Sequence, residues 1–134
     1  DMANAIYPKA KESFLKGEID LVDDTIKVAL VDTGTYTYNV AHDFYNDLSG
    51  VLGTPVALAS KTVTSGVFDA ADATFSTPSA GTSIEALIIY KDTGNVATSN
   101  LIAYIDTGTG LPFTSNGADV DIVWDSGSNK IFAL

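Results

Sequence analysis

The chain has 134 residues, a length that suits one domain and buries roughly two-thirds of its unfolded surface without staples. Its 17 acidic residues against 7 lysines give a net charge of −10, which argues against nucleic acid or an anionic membrane as a partner. There is no cysteine, so disulfides, thiol catalysis and Cys-based zinc sites are excluded, and no apolar run approaches the roughly 18 residues of a membrane span.

Met2 reads as the natural start, with Asp1 a remnant. No long apolar segment follows Lys9 or Lys11, so the start does not read as a signal peptide. Residues 3–16 read as an amphipathic helix. Ile6, Tyr7, Ala10, Phe14 and Leu15 fall near one face, Pro8 sits in the first turn and Gly17 ends it. Such a helix covers its own sheet or binds a partner. Thr25–Val31 reads as a strand, Gly34–Asn39 as a polar turn or short strand, and Ala41–Leu48 as room for one helical turn. Residues 49–55 hold two glycines and a proline and read as a loop.

Val56–Val63, Val67–Ala70 and Ala73–Phe75 read as strands, with breaks at Ser65-Gly66 and around Ala71. Residues 76–82 read as a loop. Ile84–Lys91 is the strongest strand, apolar enough to be buried on both sides, and Ser99–Ile105 follows it. Val120–Trp124 and Lys130–Ala133 read as a closing hairpin around Asp125–Asn129, with Trp124 and Phe132 paired across it. Short strands at regular spacing predict a single domain over residues 1–134. Its class is mainly β, an antiparallel β-sandwich or barrel with an N-terminal amphipathic helix.

Four apolar runs end in Asp-Thr-Gly or Asp-Ser-Gly, at Asp32, Asp92, Asp106 and Asp125. One such triplet resembles the active site of the retropepsins, single-domain dimeric aspartic proteases, and Ala29-Leu30-Val31-Asp32-Thr33-Gly34 matches that motif well. Four of them read instead as a way of ending strands. Asp accepts a hydrogen bond from the backbone two residues on, and Gly tolerates positive φ. His42 is the one histidine, too few for a His-rich zinc site, and no G-x-S-x-G turn marks a nucleophile for it. Acidic groups cluster at Asp20, Asp23 and Asp24, at Asp69 and Asp72, and at Asp119 and Asp121, but none follows the calcium-loop pattern. They read as solvated turns. No cofactor, metal site or catalytic residue is expected. The densest aromatic group, Tyr36, Tyr38, Phe44 and Tyr45, is the candidate interface, because Tyr is enriched where interfaces exclude water.

Several segments together resemble a family of small virion structural proteins of tailed bacteriophages. They are Met2-Ala3-Asn4-Ala5-Ile6-Tyr7, Lys9-Ala10-Lys11-Glu12-Ser13-Phe14-Leu15, Asp24-Thr25-Ile26-Lys27-Val28-Ala29-Leu30-Val31-Asp32 and His42-Asp43-Phe44. Further along come Glu85 to Gly94, Leu101 to Asp106, Gly110-Leu111-Pro112-Phe113 and Asn129-Lys130-Ile131-Phe132. The resemblance implies a virion location and binding to the major capsid or other virion proteins, with self-association into a homo-oligomer. A head decoration or cement protein is the first expectation. A neck, tail or fibre component with an adhesion role is the second, and the dimeric protease the third.

Overall fold

The structure, a computed structural model, describes residues 4–76, 81–107, 111–124 and 130–134. It is mainly β, every strand pairing is antiparallel, and one short helix lies near the N-terminus. Among the described residues the strands do not close into a barrel.

Its centre is a five-stranded sheet. The strands are β1 (Ala5–Ile6), β2 (Ile26–Val31), β3 (Val51–Ala57), β8 (Ala86–Lys91) and β9 (Leu101–Ile105). Their order is β1-β9-β8-β2-β3. β2 and β8 pair over six residues, from Ile26 opposite Lys91 to Val31 opposite Ala86. Ala29, Leu30, Ile88, Ile89, Ile102 and Ala103 are all buried, so both faces of these strands are covered. That is why they read as continuous apolar runs rather than alternating ones.

The outer strands are β4 (Thr62–Thr64), β5 (Val67–Asp69), β6 (Ala73–Phe75), β7 (Ser83–Ile84), β10 (Phe113–Thr114), β11 (Val120–Ile122) and β12 (Phe132–Ala133). They form small sheets, β12-β5-β4, β11-β6 and β10-β7, whose buried residues join the central core. Ser65 and Gly66 both take positive φ, 51° and 78°, which makes the two-residue hairpin turn between β4 and β5.

Four readings of the sequence are corrected. The helix, α1, spans Pro8–Leu15, and residues 5–6 before it pair with β9 instead. Tyr7 donates its backbone N–H to the Ile102 carbonyl at 2.9 Å, which commits that stretch to the sheet. Ala10 and Ser13 form the buried face of α1, whereas Leu15 is 89% exposed. Pro8 does occupy the first turn, and Gly17 leaves the helix at φ 73°.

The 49–55 segment is not a loop, because most of it belongs to β3. Gly53 takes φ 65° where the β2–β3 register slips between Val28 and Leu30, a bulge. β3 is a sheet edge, where Pro55 needs no ladder N–H. The 56–63 run is likewise divided. β3 ends at Ala57, Ser60 turns the chain at φ 54°, and β4 starts at Thr62.

The closing hairpin does not form. β11 pairs with β6 and β12 with β5, so the strand that leads into Trp124 and the strand that holds Phe132 belong to different sheets. Trp124 donates its N–H to Asp72 at 3.0 Å and its Nε1–H to the Ala71 carbonyl at 3.1 Å. Phe132 stands opposite Phe68, with ring centroids 5.3 Å apart. Residue 3 of the expected helix, residues 77–80 of the expected loop, Gly108, Gly110 and the whole Asp125–Asn129 turn lie outside the described residues.

Candidate functional site

The aromatic group sits where the chain leaves β2. After Val31 the Asp32 turn redirects it, with Thr35 and Tyr36 donating their N–H groups to the Asp32 carbonyl. Tyr36 is thereby turned inward and is 2% exposed. Its hydroxyl lies 2.7 Å from the Tyr7 hydroxyl and 2.8 Å from His42 Nδ1. The assignment of Tyr36 to an outer interface is therefore corrected: it is a core residue of the chain. An aromatic body with one polar tip is stable inside when the tip finds partners, and this tip finds two. Burial pushes the Tyr36 phenol up to about 12, and burial followed by the Tyr36 hydrogen bond pushes Tyr7 well above the ordinary phenol range.

Tyr38 is half-buried, with ring centroids 4.9 Å from Tyr7 and 5.3 Å from Tyr104. Phe44 and Tyr45 are half-buried too. A 3-10 turn at Tyr45–Asp47 is held by Asp47, whose Oδ2 accepts the Asp43 N–H at 2.9 Å. This bond is the largest cause of the lowered Asp47 carboxyl. Tyr45 donates its backbone N–H to the Ser99 carbonyl, and its ring lies 4.8 Å from that of Tyr90. Of the four candidate residues, three thus present partial surfaces, and two of these, Tyr38 and Tyr45, have rings already packed against other tyrosines. The partner that sequence reasoning did not supply is Tyr7.

Asp32 closes its turn as the triplet chemistry requires. Its Oδ1 accepts the Gly34 N–H at 2.8 Å, the main cause of its lowered carboxyl, and the Glu85 carboxyl alongside adds to the effect. Glu85 also accepts the Thr33 N–H at 3.2 Å. Asp92 repeats the arrangement: it accepts the Gly94 N–H at 2.9 Å and pairs with Lys27 at 2.6 Å. Gly94 adopts φ 84°, while Gly34 is not in the left-handed region. At Gly34 space is the constraint, since a Cβ there would stand 3.1 Å from Asp32 Oδ1. Asp106 has its backbone N–H bound by Asn4, and its Oδ1 is buried with no hydrogen-bond partner among the described residues.

The acidic clusters separate into individual tasks. Asp20 Oδ1 accepts the N–H groups of Val22 and Asp23, Asp24 pairs with Lys91, and Asp121 accepts from Thr74. Among the described residues no three His, Asp or Glu side chains converge on a common point. A cavity of about 250 Å³ beside β11 is lined by apolar side chains such as Leu87, Ile105, Ile122 and Trp124 together with the polar residues Asn4, Thr107 and Lys130. A second concavity, between α1 and β12, is more apolar and more open. It is formed by Ile6, Lys11, Phe14, Leu15, Ala133 and Leu134. No helix among the described residues is long and apolar enough to cross a membrane. The chain matches no protein-family model and no curated protein sequence.

Proposed function

We propose that this chain is a structural protein of a tailed-phage particle, a decoration or cement protein that binds the head shell without chemistry. The observation that carries this reading is the spread of the resemblance, from Met2-Ala3-Asn4 to Lys130-Ile131-Phe132, along nearly the whole chain. The use made of the polar side chains supports it. Asp32, Asp47 and Asp92 hold turns, and His42 holds Tyr36. A doubly covered sheet bearing such turns is a rigid body that offers surface. Cement proteins need that, because many small contacts between capsomers oppose the outward push of packed DNA. The net charge of −10 keeps such a protein off the genome.

The test is the copy number and position of the protein in an averaged image of the particle. Copies covering the shell are expected. About six or twelve copies at one vertex would move the assignment to the neck, tail or fibre, where symmetry sets such counts. Peptide cleavage at acidic pH that Asp32→Asn abolishes would replace the structural reading with the protease.

A further inference from the structure

The seven lysines are not equally engaged. Lys9, Lys16, Lys27 and Lys91 pair with Glu12, Glu18, Asp92 and Asp24. Lys61 donates to the Asp24 carbonyl, and Lys130 has an interaction of its own. Among the described residues, only the Lys11 ammonium meets no partner. In a chain of net charge −10, one unpaired cation on an acidic surface is conspicuous. Lys11 stands on the rim of the apolar groove of about 410 Å³ between α1 and β12. Leu15, one turn on, is 89% exposed, and Leu134 across the groove is 63% exposed. This surface is an apolar socket with a positive charge at its edge.

The same chain carries the complementary shape. After α1 the chain makes a tight turn over residues 20–24. Asp20 Oδ1 accepts the Val22 N–H at 3.0 Å and the Asp23 N–H at 3.1 Å, and the Asp20 carbonyl accepts the Asp24 N–H at 2.9 Å. Leu21 is buried on one side, and Asp24 is pinned by Lys91 at 3.2 Å on the other. The fixed turn holds Val22 outward, 46% exposed. Asp23, beside it, is exposed, and no partner for its carboxylate exists among the described residues. This is an apolar knob with a negative charge at its edge.

We propose that the α1–β12 groove of one copy seats the 20–24 turn of a second copy, with Val22 against Leu15 and Phe14 and with Asp23 on Lys11. Charge complementarity selects this occupant: the unpaired cation beside the socket and the unpaired anion beside the knob belong to the same chain. Socket and knob are different surfaces, so the contact closes as a two-fold pair when each copy seats the other's turn, and otherwise continues head-to-tail into a ring or a chain of copies. The inference stands on these surfaces alone and is independent of where the protein acts.

Sedimentation velocity of the purified full chain, over a concentration series at about 0.15 M salt, tests it. The parent should self-associate. Leu15→Ser should weaken association at least about tenfold with an unchanged circular dichroism spectrum, because Leu15 lies outside the core. Lys11→Glu and Asp23→Lys should each weaken it, and the double charge swap should restore it. The double variant has the parent's net charge, so restoration reports the local pair and not general repulsion. A parent that stays monomeric overturns the inference, as does Leu15→Ser associating like the parent, or a double swap no better than the singles. Binding of the same proteins to capsids is measured separately. A monomer that still coats capsids would sink the self-docking contact and leave the decoration role standing.

Discussion

The central sheet and the outer strands reach stability in different ways. β2, β8 and β9 are five or six residues long and buried on both faces; β8 pairs with its sequence neighbour β9, and β8 pairs with β2 over six residues although β3 to β7 lie between them in the chain. The outer strands are two or three residues long, and apart from the β4–β5 hairpin they are paired with partners far along the chain: β12 with β5, β11 with β6, β10 with β7. A two-residue strand has too few ladder bonds to stand alone. The outer sheets therefore depend on side chains such as Phe68, Phe75 and Phe132 reaching the common core. One region is held by its backbone ladder and its packing together, the other chiefly by its packing.

The sharpest way to break this comparison is to cut one cavity in each region. Ile88 is fully buried in β8, between β2 and β9. Ile88→Ala should cost about 4 kcal/mol, since a central strand cannot collapse onto the gap. Urea unfolding should stay a single transition, with all probes shifted together. Phe132 is slightly less enclosed and stacks on Phe68. Phe132→Ala should cost about 3 kcal/mol. Hydrogen exchange should then accelerate first in β5 and β12 while β8 stays protected, as local opening of the less stable unit requires. Uniform acceleration across both regions would show that the outer strands are not a separate unit.

Tyr36 tests the join between the 32–48 segment and the sheet. Tyr36→Phe keeps the ring but leaves the buried Tyr7 hydroxyl and His42 Nδ1 without their shared partner, at a cost of about 2 kcal/mol. The pH dependence sharpens the point. Folding raises the Tyr36 phenol to about 12, above its unfolded value of about 10. Its contribution is fully present below pH 10 and is lost as pH rises through the folded value, because the unfolded chain then binds fewer protons. Stability of the parent should fall above pH 10, and that of Tyr36→Phe should fall less steeply. Urea midpoints between pH 8 and about 12 check this. Parallel curves for parent and variant would mean that the buried hydroxyl relay does not anchor the segment.

The two regions also differed in how far the sequence disclosed them. The runs at 26–31, 86–91 and 101–105 were legible because burial on both faces leaves an unbroken apolar stretch. The Asp32 and Asp92 turns were legible because their chemistry is local: donor and acceptor lie two residues apart. The partners of β11 and β12 were not, since a two- or three-residue pattern fits many neighbours, and adjacency in sequence suggested a hairpin that does not form. Gly53 and Pro55 marked a bulged edge and resembled a loop, because both situations tolerate the same residues. Tyr36 illustrates the limit at the candidate site. A buried tyrosine with a satisfied hydroxyl and an interface tyrosine have the same composition around them, and only the distant Tyr7 distinguishes the two.

The smallest effect concerns the strand-end triplet itself. Asp92 ends β8 and is tied both to the Gly94 N–H and to Lys27 on β2. Asp92→Asn keeps an oxygen for the Gly94 N–H, so the turn survives and only the ion pair is removed. Both side chains are about a quarter exposed, 30% for Lys27 and 24% for Asp92, so screening limits the loss to about 0.5 kcal/mol. The lowered carboxyl of Asp92, caused first by the Lys27 hydrogen bond and then by the Gly94 N–H, fixes the pH window. Its stabilisation is present above the unfolded carboxylate value of about 3.9 and is lost as pH falls through the lower folded value. The gap between parent and variant in urea should therefore be constant near neutrality and narrow below about pH 4. A gap that persists unchanged into acid would mean that the substitution disturbs the turn rather than the pair. The triplet would then act through its backbone geometry alone, with no share from the charge that follows the strand.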